Sequence, residues 1–232
     1  MKYERKHKVG IDEVNNEFLM TNKALIVVFE NAMSFYADKF GFGILDVVKT
    51  NLTWFVVDWK VKVLKRPKYG DKLIIRTWGR DPKDCFMYTD FEVYVNDELY
   101  VQATTKMALF NVKTTSLESI PKKVLRNFVK EDSTFKEREL KHMVVLDKYD
   151  DISEIVIRKS DLDFNRHVNN VRYFDYLADY FDYSDFNDFR ITYRKEIKEE
   201  DNISLYHSKR DNIDYFAIKD DKDNVKTIIE CY

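Results

Sequence analysis

The residues of this sequence that could do chemistry are a histidine and its polar neighbours. Asp163, Asn165 and His167 occupy alternate positions in a segment that runs from Arg158 to Phe181, and the polar pattern continues through Asp161, Asn169 and Asn170. Alternate side chains of an extended segment point to the same side, so these groups are predicted to face one place. A histidine, an amide and a carboxylate held together are typical of sites for acyl transfer or hydrolysis.

The residues that follow have the pattern of an amphipathic helix. From Val171 onward, apolar side chains recur at three- and four-residue spacing: Tyr173, Phe174, Leu177, Ala178 and Phe181. This spacing predicts a buried helix whose first turn is capped by Asn169 or Asn170. The unpaired N–H groups and the positive dipole at the start of a helix can stabilise an oxyanion. The polar residues would therefore lie at the mouth of a buried helix.

The same residues also have a purely structural interpretation. Asx residues ahead of a helix commonly form turns and caps, and a single histidine is commonly a surface or core residue. We interpret Asp161, Asn169 and Asn170 mainly as turn and cap residues. The spacing alone leaves both interpretations of His167 open.

The composition indicates a packed globular protein without a nucleic-acid surface. Of 232 residues, 44% are hydrophobic and 34% are charged, with a net charge of −2, which gives no basic field for nucleic acid. No run of about 18 apolar residues occurs, so we expect no membrane insertion and a cytoplasmic location. Cys85 and Cys231 have no partners at metal-ligand spacing, and five glycines cannot build a dinucleotide or phosphate loop. We expect two free thiols, no metal and no cofactor.

The first half of the chain is predicted to be one long helix against an antiparallel sheet. Residues 2–9 could form an edge strand, and apolar spacing predicts a helix over 23–40 that ends at Gly41. Residues favourable to strands predict four more, over 50–64, 72–79, 85–95 and 98–111. Asn96 and Asp97 would form the hairpin turn between the last two.

The second half repeats this plan after a polar connector. Residues 112–143 are charge-rich and are interpreted as a solvated connector with a short helix over 121–128. An extended lead-in over 154–158 and strands over 189–198, 203–209, 214–219 and 225–232 follow. Sliding the halves by about 148 positions aligns Thr21 and Asn22 with Asn169 and Asn170, which indicates an internal duplication. We predict an N-terminal domain over 1–118, a linker over 119–147 and a C-terminal domain over 148–232.

Two motifs in this order carry a family resemblance. Residues 161–170 read DLDFNRHVNN and are followed by Tyr173. The upstream motif comprises Trp54, Trp59, Lys65-Arg66-Pro67, Gly70-Asp71 and Thr77-Trp78. Together they resemble the acyl-acyl carrier protein thioesterases, which release fatty acids from the carrier in plants and bacteria. The resemblance covers nearly the whole chain, and the lack of a transit peptide favours a bacterial member.

The resemblance implies both a fold and a reaction. The fold would be α+β, a tandem (double) hotdog in which each half is a bent antiparallel sheet wrapped around a long central helix. The two halves would pair as an internal pseudo-dimer, with a further homodimer left open. The reaction would be hydrolysis of the thioester of a fatty acyl-acyl carrier protein to free fatty acid and carrier protein, without a cofactor.

The resemblance also assigns the catalytic residues. Asp163, Asn165 and His167 match the family's catalytic motif, and Glu196 matches an acidic residue that a later strand brings to the same site. Many plant members have a cysteine directly after that glutamate, whereas Ile197 stands here. This difference argues against a Cys-His mechanism and for water as the nucleophile.

The general base is left open between Glu196 and Asp163. A carboxylate in a largely apolar site would have its pKa raised towards neutrality, which suits a base that works near pH 7. At the duplicated positions the first half has Asn15, Glu17 and Leu19. Leucine cannot transfer a proton, so we expect one site per chain and a first half free to hold the acyl chain.

The substrate is predicted to contact both halves. Candidate walls for the acyl chain are Phe29, Met33, Tyr36, Trp54 and Phe55, each of which could equally be core. Asn169 and Asn170 would lie beside the thioester. The carrier protein is acidic, and a basic rim around the mouth would attract it: Arg158, Lys159, Arg166, Arg172, Arg194 and Lys195. We assign Arg166 and Arg172 to substrate binding, although such residues also form the ordinary solvated face of a protein.

Two rival functions remain. An acyl-CoA thioesterase of the hotdog class would have a similar Asp and His-Val-Asn-Asn run, but usually has glycine before the histidine and a single hotdog. Arg166 and the double length favour the carrier-protein enzyme. A non-enzymatic acyl-binding hotdog predicts binding without turnover and usually a separate DNA-binding segment, which the sequence lacks.

Overall fold

The computed structural model describes residues 2–125, 131–163, 165–178, 180 and 186–232. The N-terminal half contains β1 (Tyr3–Lys8), α1 (Asn22–Asp38), α2 (Val47–Thr50), β2 (Leu52–Val63), β3 (Lys72–Lys83), β4 (Phe86–Val95), β5 (Glu98–Asn111), β6 (Ser116–Leu117) and α3 (Lys122–Leu125). The C-terminal half contains β7 (Asp151–Ile155), α4 (Tyr173–Tyr176), β8 (Asp188–Tyr193), β9 (Ile203–Arg210), β10 (Ile213–Asp220) and β11 (Val225–Cys231).

The long helix predicted in the first half is confirmed as α1. The Oγ1 atom of Thr21 accepts a hydrogen bond from the Ala24 N–H at 3.1 Å, which caps the first turn. Gly41 has a φ of +70° just beyond the helix end. The ring centroid of Phe29 lies 5.9 Å from that of Trp59 on β2 and 4.9 Å from that of Phe91 on β4. These contacts bury one face of α1 against the sheet.

The strands of both halves form one continuous sheet. Within the described residues the order is β1-β3-β4-β5-β2-β8-β11-β10-β9-β7, and β6 pairs with the side of β5. The halves meet where β2 and β8 run antiparallel, with Asp58 opposite Thr192 and Lys62 opposite Asp188. The main cluster of buried hydrophobic residues contains members of both halves. The two halves therefore share a sheet and a core, as an internal pseudo-dimer requires.

The hairpin predicted at Asn96-Asp97 is confirmed. Both residues have left-handed backbone angles, with φ values of 48° and 65°. A two-residue turn with both central residues in this region matches the twist of the strands that it joins.

The second central helix is shorter than the sequence predicts. After a 3₁₀ turn over Asn170–Arg172, α4 covers only Tyr173–Tyr176, and residues 177 and 178 form a turn. Phe181, the last predicted position of this helix, lies outside the described residues. Three of the four residues of α4 are aromatic, and aromatic side chains favour a helix less than the alanine and leucine of α1 do. The expectation of a long central helix therefore holds for the first half alone among the described residues.

Strand β8 also ends earlier than predicted. It stops at Tyr193, and the N–H groups of Arg194 and Lys195 both bond the carbonyl of Lys226, at 2.8 and 3.1 Å. Because two successive N–H groups share one carbonyl, the regular hydrogen bonding between β8 and β11 stops here. Glu196 and Ile197 consequently lie in a loop and not on a strand.

The predicted solvated connector is in fact attached along the sheet. Residues 131–150 contain no helix or strand, but their backbone bonds buried side chains of β3 and β4. The Thr134 N–H donates to Asp90 Oδ2 at 2.8 Å, and Arg80 donates to the Arg138 carbonyl at 2.7 Å. Both sheet side chains are fully buried and need such partners. The predicted helix over 121–128 is confirmed for α3, and residues 126–128 lie outside the described residues.

None of the helices in the described ranges has the length and apolar character needed to cross a membrane.

Candidate active site

The segment around His167 is a tight turn and not the extended segment that the alternation predicts. The Asp163 N–H donates to the His167 carbonyl at 2.7 Å, and Asp163 Oδ1 accepts hydrogen bonds from the N–H groups of Asn165 (2.8 Å) and His167 (3.1 Å). Arg166 has a φ of +62° within the turn. The turn nevertheless directs Asp163, Asn165 and His167 into one cavity. Asp163 shapes the turn that carries the other two side chains.

The first half contains the same turn without the histidine. Asn15 Oδ1 accepts hydrogen bonds from the N–H groups of Glu17 (3.0 Å) and Leu19 (2.9 Å), and Phe18 has a φ of +61°. These bonds repeat those of the Asp163 turn at the predicted offset. The hydrogen-bonding pattern therefore confirms the internal duplication, and Leu19 stands where the second half has its histidine.

Glu196 approaches His167 from the loop that follows β8. The Val168 N–H donates to the Ile197 carbonyl at 2.8 Å and fixes this loop beside the turn. His167 Nε2 lies 3.7 Å from Glu196 Oε2, and Lys198 Nζ lies 3.3 Å from Glu196 Oε1. The Glu196 side chain is 53% exposed, whereas that of His167 is 28% exposed. The predicted pair of His167 and Glu196 is therefore brought together at the edge of the cavity.

Asn169 and Asn170 hold the start of the short helix. Asn169 Oδ1 accepts a hydrogen bond from the Val171 N–H at 3.1 Å, so the predicted cap is Asn169. The Tyr193 hydroxyl donates to the Asn170 carbonyl at 3.1 Å. Because the Val171 N–H is already bonded and α4 has only four residues, the start of this helix would stabilise an oxyanion less strongly than the sequence predicts.

The cavity has a volume of about 970 Å³ and is lined by both halves. The first half contributes most of its apolar surface, including four predicted wall residues: Met33, Tyr36, Trp54 and Phe55. Phe29, the fifth predicted wall residue, does not line it. That ring is fully buried against Trp59 and Phe91, because it lies on the face of α1 that packs on the sheet.

Part of the predicted basic rim reaches the cavity. Arg194 and Lys195 line it, as does Lys198, which the sequence analysis did not single out. Arg166 is exposed on the turn and does not line the cavity. Arg172 does not line the cavity, and its NH1 lies 3.1 Å from Asp175 Oδ2, a carboxylate that it shares with Lys23.

Glu30 is a cavity residue that the sequence analysis missed. It lies on α1 and lines the cavity together with Met33 and Ser34, one turn further along the helix. Burial raises the pKa of the Glu30 carboxyl from 4.5 to about 7, and a hydrogen bond from the Asn170 side chain opposes part of this rise. The sequence signal was a charged residue four positions after Ile26 and three before Met33, which places it on the same side of the helix as these two apolar residues.

The two cysteines do not line the cavity. Cys231 is buried at the end of β11, where burial raises the pKa of its thiol well above the ordinary value. Both are free thiols. Across the described part of the chain, no group of three or more His, Cys, Asp or Glu side chains could hold a metal ion. Neither cysteine is therefore placed to act as a nucleophile in this cavity.

Comparison with known sequences assigns the family. The sequence model described as the acyl-ACP thioesterase N-terminal domain matches residues 1–128, and the corresponding C-terminal domain model matches residues 145–230. The chain belongs to the acyl-ACP thioesterase family. A chloroplastic acyl-(acyl-carrier-protein) hydrolase of Cuphea viscosissima is 24% identical over 209 residues, which are 84% of this chain and 51% of that protein.

Two further relatives show the same partial coverage. The palmitoyl-acyl carrier protein thioesterase of Arabidopsis thaliana is 32% identical over 148 residues, 60% of this chain and 36% of that protein. The dodecanoyl hydrolase of Umbellularia californica is 28% identical over 207 residues, 83% of this chain and 54% of that protein. The chain thus spans about half the length, or less, of these curated relatives.

Solved structures confirm the double hotdog fold. The 12:0-ACP thioesterase from Umbellularia californica superposes with a TM-score of 0.85 at 21% identity, covering 99% of this chain and 96% of that one. An acyl-ACP thioesterase from Bacteroides thetaiotaomicron gives a TM-score of 0.87 at 20% identity, with the same coverage.

Proposed function

We propose that this protein hydrolyses the thioester of a fatty acyl-acyl carrier protein to free fatty acid and carrier protein. The observation that carries the proposal is the single cavity that joins the polar cluster of the second half to the apolar interior of the first half. A thioester carbonyl at His167 would extend its alkyl chain towards Met33 and Trp54. Family membership and the names of the relatives support the same reaction.

The polar cluster offers separate roles to its members. Asn165 and His167 would hold and polarise the carbonyl oxygen, so that water can attack the carbonyl carbon. Asp163 would keep the turn in shape through the two backbone N–H groups that it accepts. Glu196, 3.7 Å from the histidine, would orient the imidazole. The reaction also needs a carboxylate that accepts the proton of the attacking water.

The first half would hold the acyl chain. Met33, Phe42 and Trp54 pack against a small apolar cluster whose members Met87 and Met107 also line the cavity. Methionine side chains adapt to irregular shapes, which suits a wall that contacts an alkyl chain. The preferred length of the acyl chain would depend on how far these side chains can move.

The second half would receive the carrier protein. Arg194, Lys195 and Lys198 are exposed at the cavity, and Arg158, Lys159 and Arg166 are exposed nearby in sequence. A positive surface at the mouth attracts an acidic carrier protein and aligns its pantetheine arm with the opening. Arg172, which is held by Asp175 and does not line the cavity, would contribute less than the sequence predicts.

The test is fatty-acid release by the purified protein from matched acyl-carrier and acyl-CoA thioesters over several chain lengths. The His167→Ala variant is expected to lose turnover and to keep its unfolding midpoint. The exposed His142, which lies outside the cavity, provides a matched control as His142→Ala. Preference for CoA thioesters would favour the rival acyl-CoA thioesterase, and binding without release would contradict an enzymatic function.

A further inference from the structure

Glu30 occupies an unusual environment at the junction of the two halves. It projects from α1 of the first half and lines the same cavity as His167 of the second half. Within the described part of the chain, its Oε1 atom is buried and has no hydrogen-bond partner. Leaving a buried carboxylate oxygen unpaired costs stability, so such a group calls for a functional explanation. A water molecule or a substrate group in the cavity would supply the missing partner.

Of the four other described carboxylates that line the cavity, Glu200 is exposed and three are already engaged. Asp163 Oδ1 accepts two backbone N–H groups of its own turn. Glu196 is ion-paired with Lys198 at 3.3 Å and is more than half exposed. Asp201 pairs with Lys226 at 3.0 Å. Among the ion pairs of the described residues, none involves Glu30, which therefore differs from the two bases that the sequence predicts.

We propose that Glu30 is the general base of the hydrolysis, acting on the water that attacks the thioester. This inference rests on the proposed function. The water oxygen forms a bond to the carbonyl carbon, and one of its protons passes to the Glu30 carboxylate. The tetrahedral oxyanion then re-forms the carbonyl as the carbon–sulfur bond breaks and the electron pair leaves with the pantetheine sulfur. Glu30 returns its proton to that sulfur, which restores the carboxylate.

The surroundings of Glu30 suit this role. The Asn170 side chain donates a hydrogen bond to the carboxyl and orients it, and burial raises the pKa of Glu30 to about 7. A base is most effective when its pKa lies near the working pH. The titratable groups that line the cavity from facing elements include Tyr173, Tyr193 and His167. Burial raises the pKa of both tyrosines, which stay neutral in this range.

The test compares isosteric variants under conditions that saturate the enzyme with acyl-carrier substrate. Glu30→Gln keeps an acceptor for Asn170 but cannot take a proton. We expect kcat to fall by about 10²–10⁴-fold with little change in KM. In the wild type, kcat/KM is expected to rise with pH around a pKa of about 7, and in Glu30→Gln this rise should disappear. Asp38→Asn removes an exposed carboxylate from the same helix, outside the cavity, and should leave both the rate and the pH profile unchanged.

Two comparisons separate a base from a structural residue. Glu30→Asp keeps a carboxyl group and should give an intermediate rate with the pH-dependent rise preserved. Asp163→Asn and Glu196→Gln should lower the rate but also preserve that rise. The inference would be overturned if Glu30→Gln kept a rate within tenfold of wild type, or if Glu196→Gln lost the rise of kcat/KM with pH. Either result would leave the proposed function intact. Wild-type protein without fatty-acid release would overturn the proposed function as well.

Discussion

The burial of Glu30 predicts a pH-dependent gain in stability when the carboxyl group is removed. The pKa of this group is 4.5 in its ordinary environment and about 7 in the folded protein. The folded state therefore binds the proton more tightly than the unfolded chain does. It follows that stability falls as pH rises from 4.5 towards 7, and that the full loss is present above pH 7.

The size of the effect follows from the two values. They differ by about 2.5, and each pKa unit corresponds to about 1.4 kcal/mol, so ionising Glu30 costs the folded state about 3 kcal/mol. Glu30→Gln removes this cost because glutamine stays neutral. The variant should therefore be more stable than wild type by a margin that grows with pH. From about pH 5 to about pH 8 this margin in unfolding free energy should increase by about 2.5 kcal/mol.

Urea unfolding of both proteins at these two pH values measures the gain directly. Asp38→Asn, which removes an exposed carboxylate from the same helix, controls for the change of net charge. Its difference from wild type should stay nearly constant between the two pH values. If Glu30→Gln gives the same difference from wild type at both, then Glu30 does not titrate in the folded protein as its burial requires. Such a result would also remove the physical basis for its role as a base.

Three further predictions follow from contacts at other positions. Asp163→Asn should change the free energy of unfolding by less than about 1 kcal/mol, since an asparagine makes the same turn in the first half; urea unfolding tests this. Replacing Asp90 by alanine should cost about 3 kcal/mol, because the buried Arg80 would lose the fully buried carboxylate 2.8 Å from its Nε and keep the more exposed Asp81; urea unfolding should show a larger loss than for an exposed ion pair. Replacing Arg194 and Lys195 together by glutamine should raise KM for the carrier-bound substrate and weaken its dependence on salt, and an unchanged salt dependence would contradict docking at this rim.

The sequence predicted the first helix and most strands because each is locally determined. Thr21 caps α1, Gly41 follows its end, and alternating β-branched residues mark the strands. It could not separate the two buried faces of α1, since both are largely apolar. Phe29 packs on the sheet, whereas Met33 lines the cavity, and only the three-dimensional arrangement distinguishes them. Glu30 was the one charged residue on the cavity face, and its chemistry was masked by an otherwise apolar pattern.

The end of β8 was beyond sequence reasoning for a different reason. Residues 189–198 have the composition of a strand, but two successive N–H groups share the Lys226 carbonyl, which belongs to a distant part of the chain. Local propensity cannot anticipate such a contact. The resulting loop brings Glu196 to His167, so the position of a predicted site residue depends on an irregularity that the sequence does not reveal.

The duplication explains why one chain would carry one active site. In both halves the turn is tied to a neighbouring loop in the same way: the Met20 N–H bonds the Pro67 carbonyl as the Val168 N–H bonds that of Ile197. The residue before each acceptor therefore has an equivalent place, and Arg66 in the first half corresponds to Glu196 in the second.

In the first half, Arg66 occupies the place equivalent to Glu196 and connects the two halves of the chain. Its guanidinium donates to the Met20 carbonyl at 2.8 Å, to Asn22 Oδ1 at 3.0 Å and to the Phe186 carbonyl at 2.9 Å. The equivalent of Asn22 is Asn170, which instead bonds the Glu30 carboxyl. At the same offset of about 148 positions, the residue equivalent to Glu30 is Ala178, which cannot accept a proton. The first-half copy thus lacks both the histidine and the carboxylate, and its own helix supplies that carboxylate to the site of the second half.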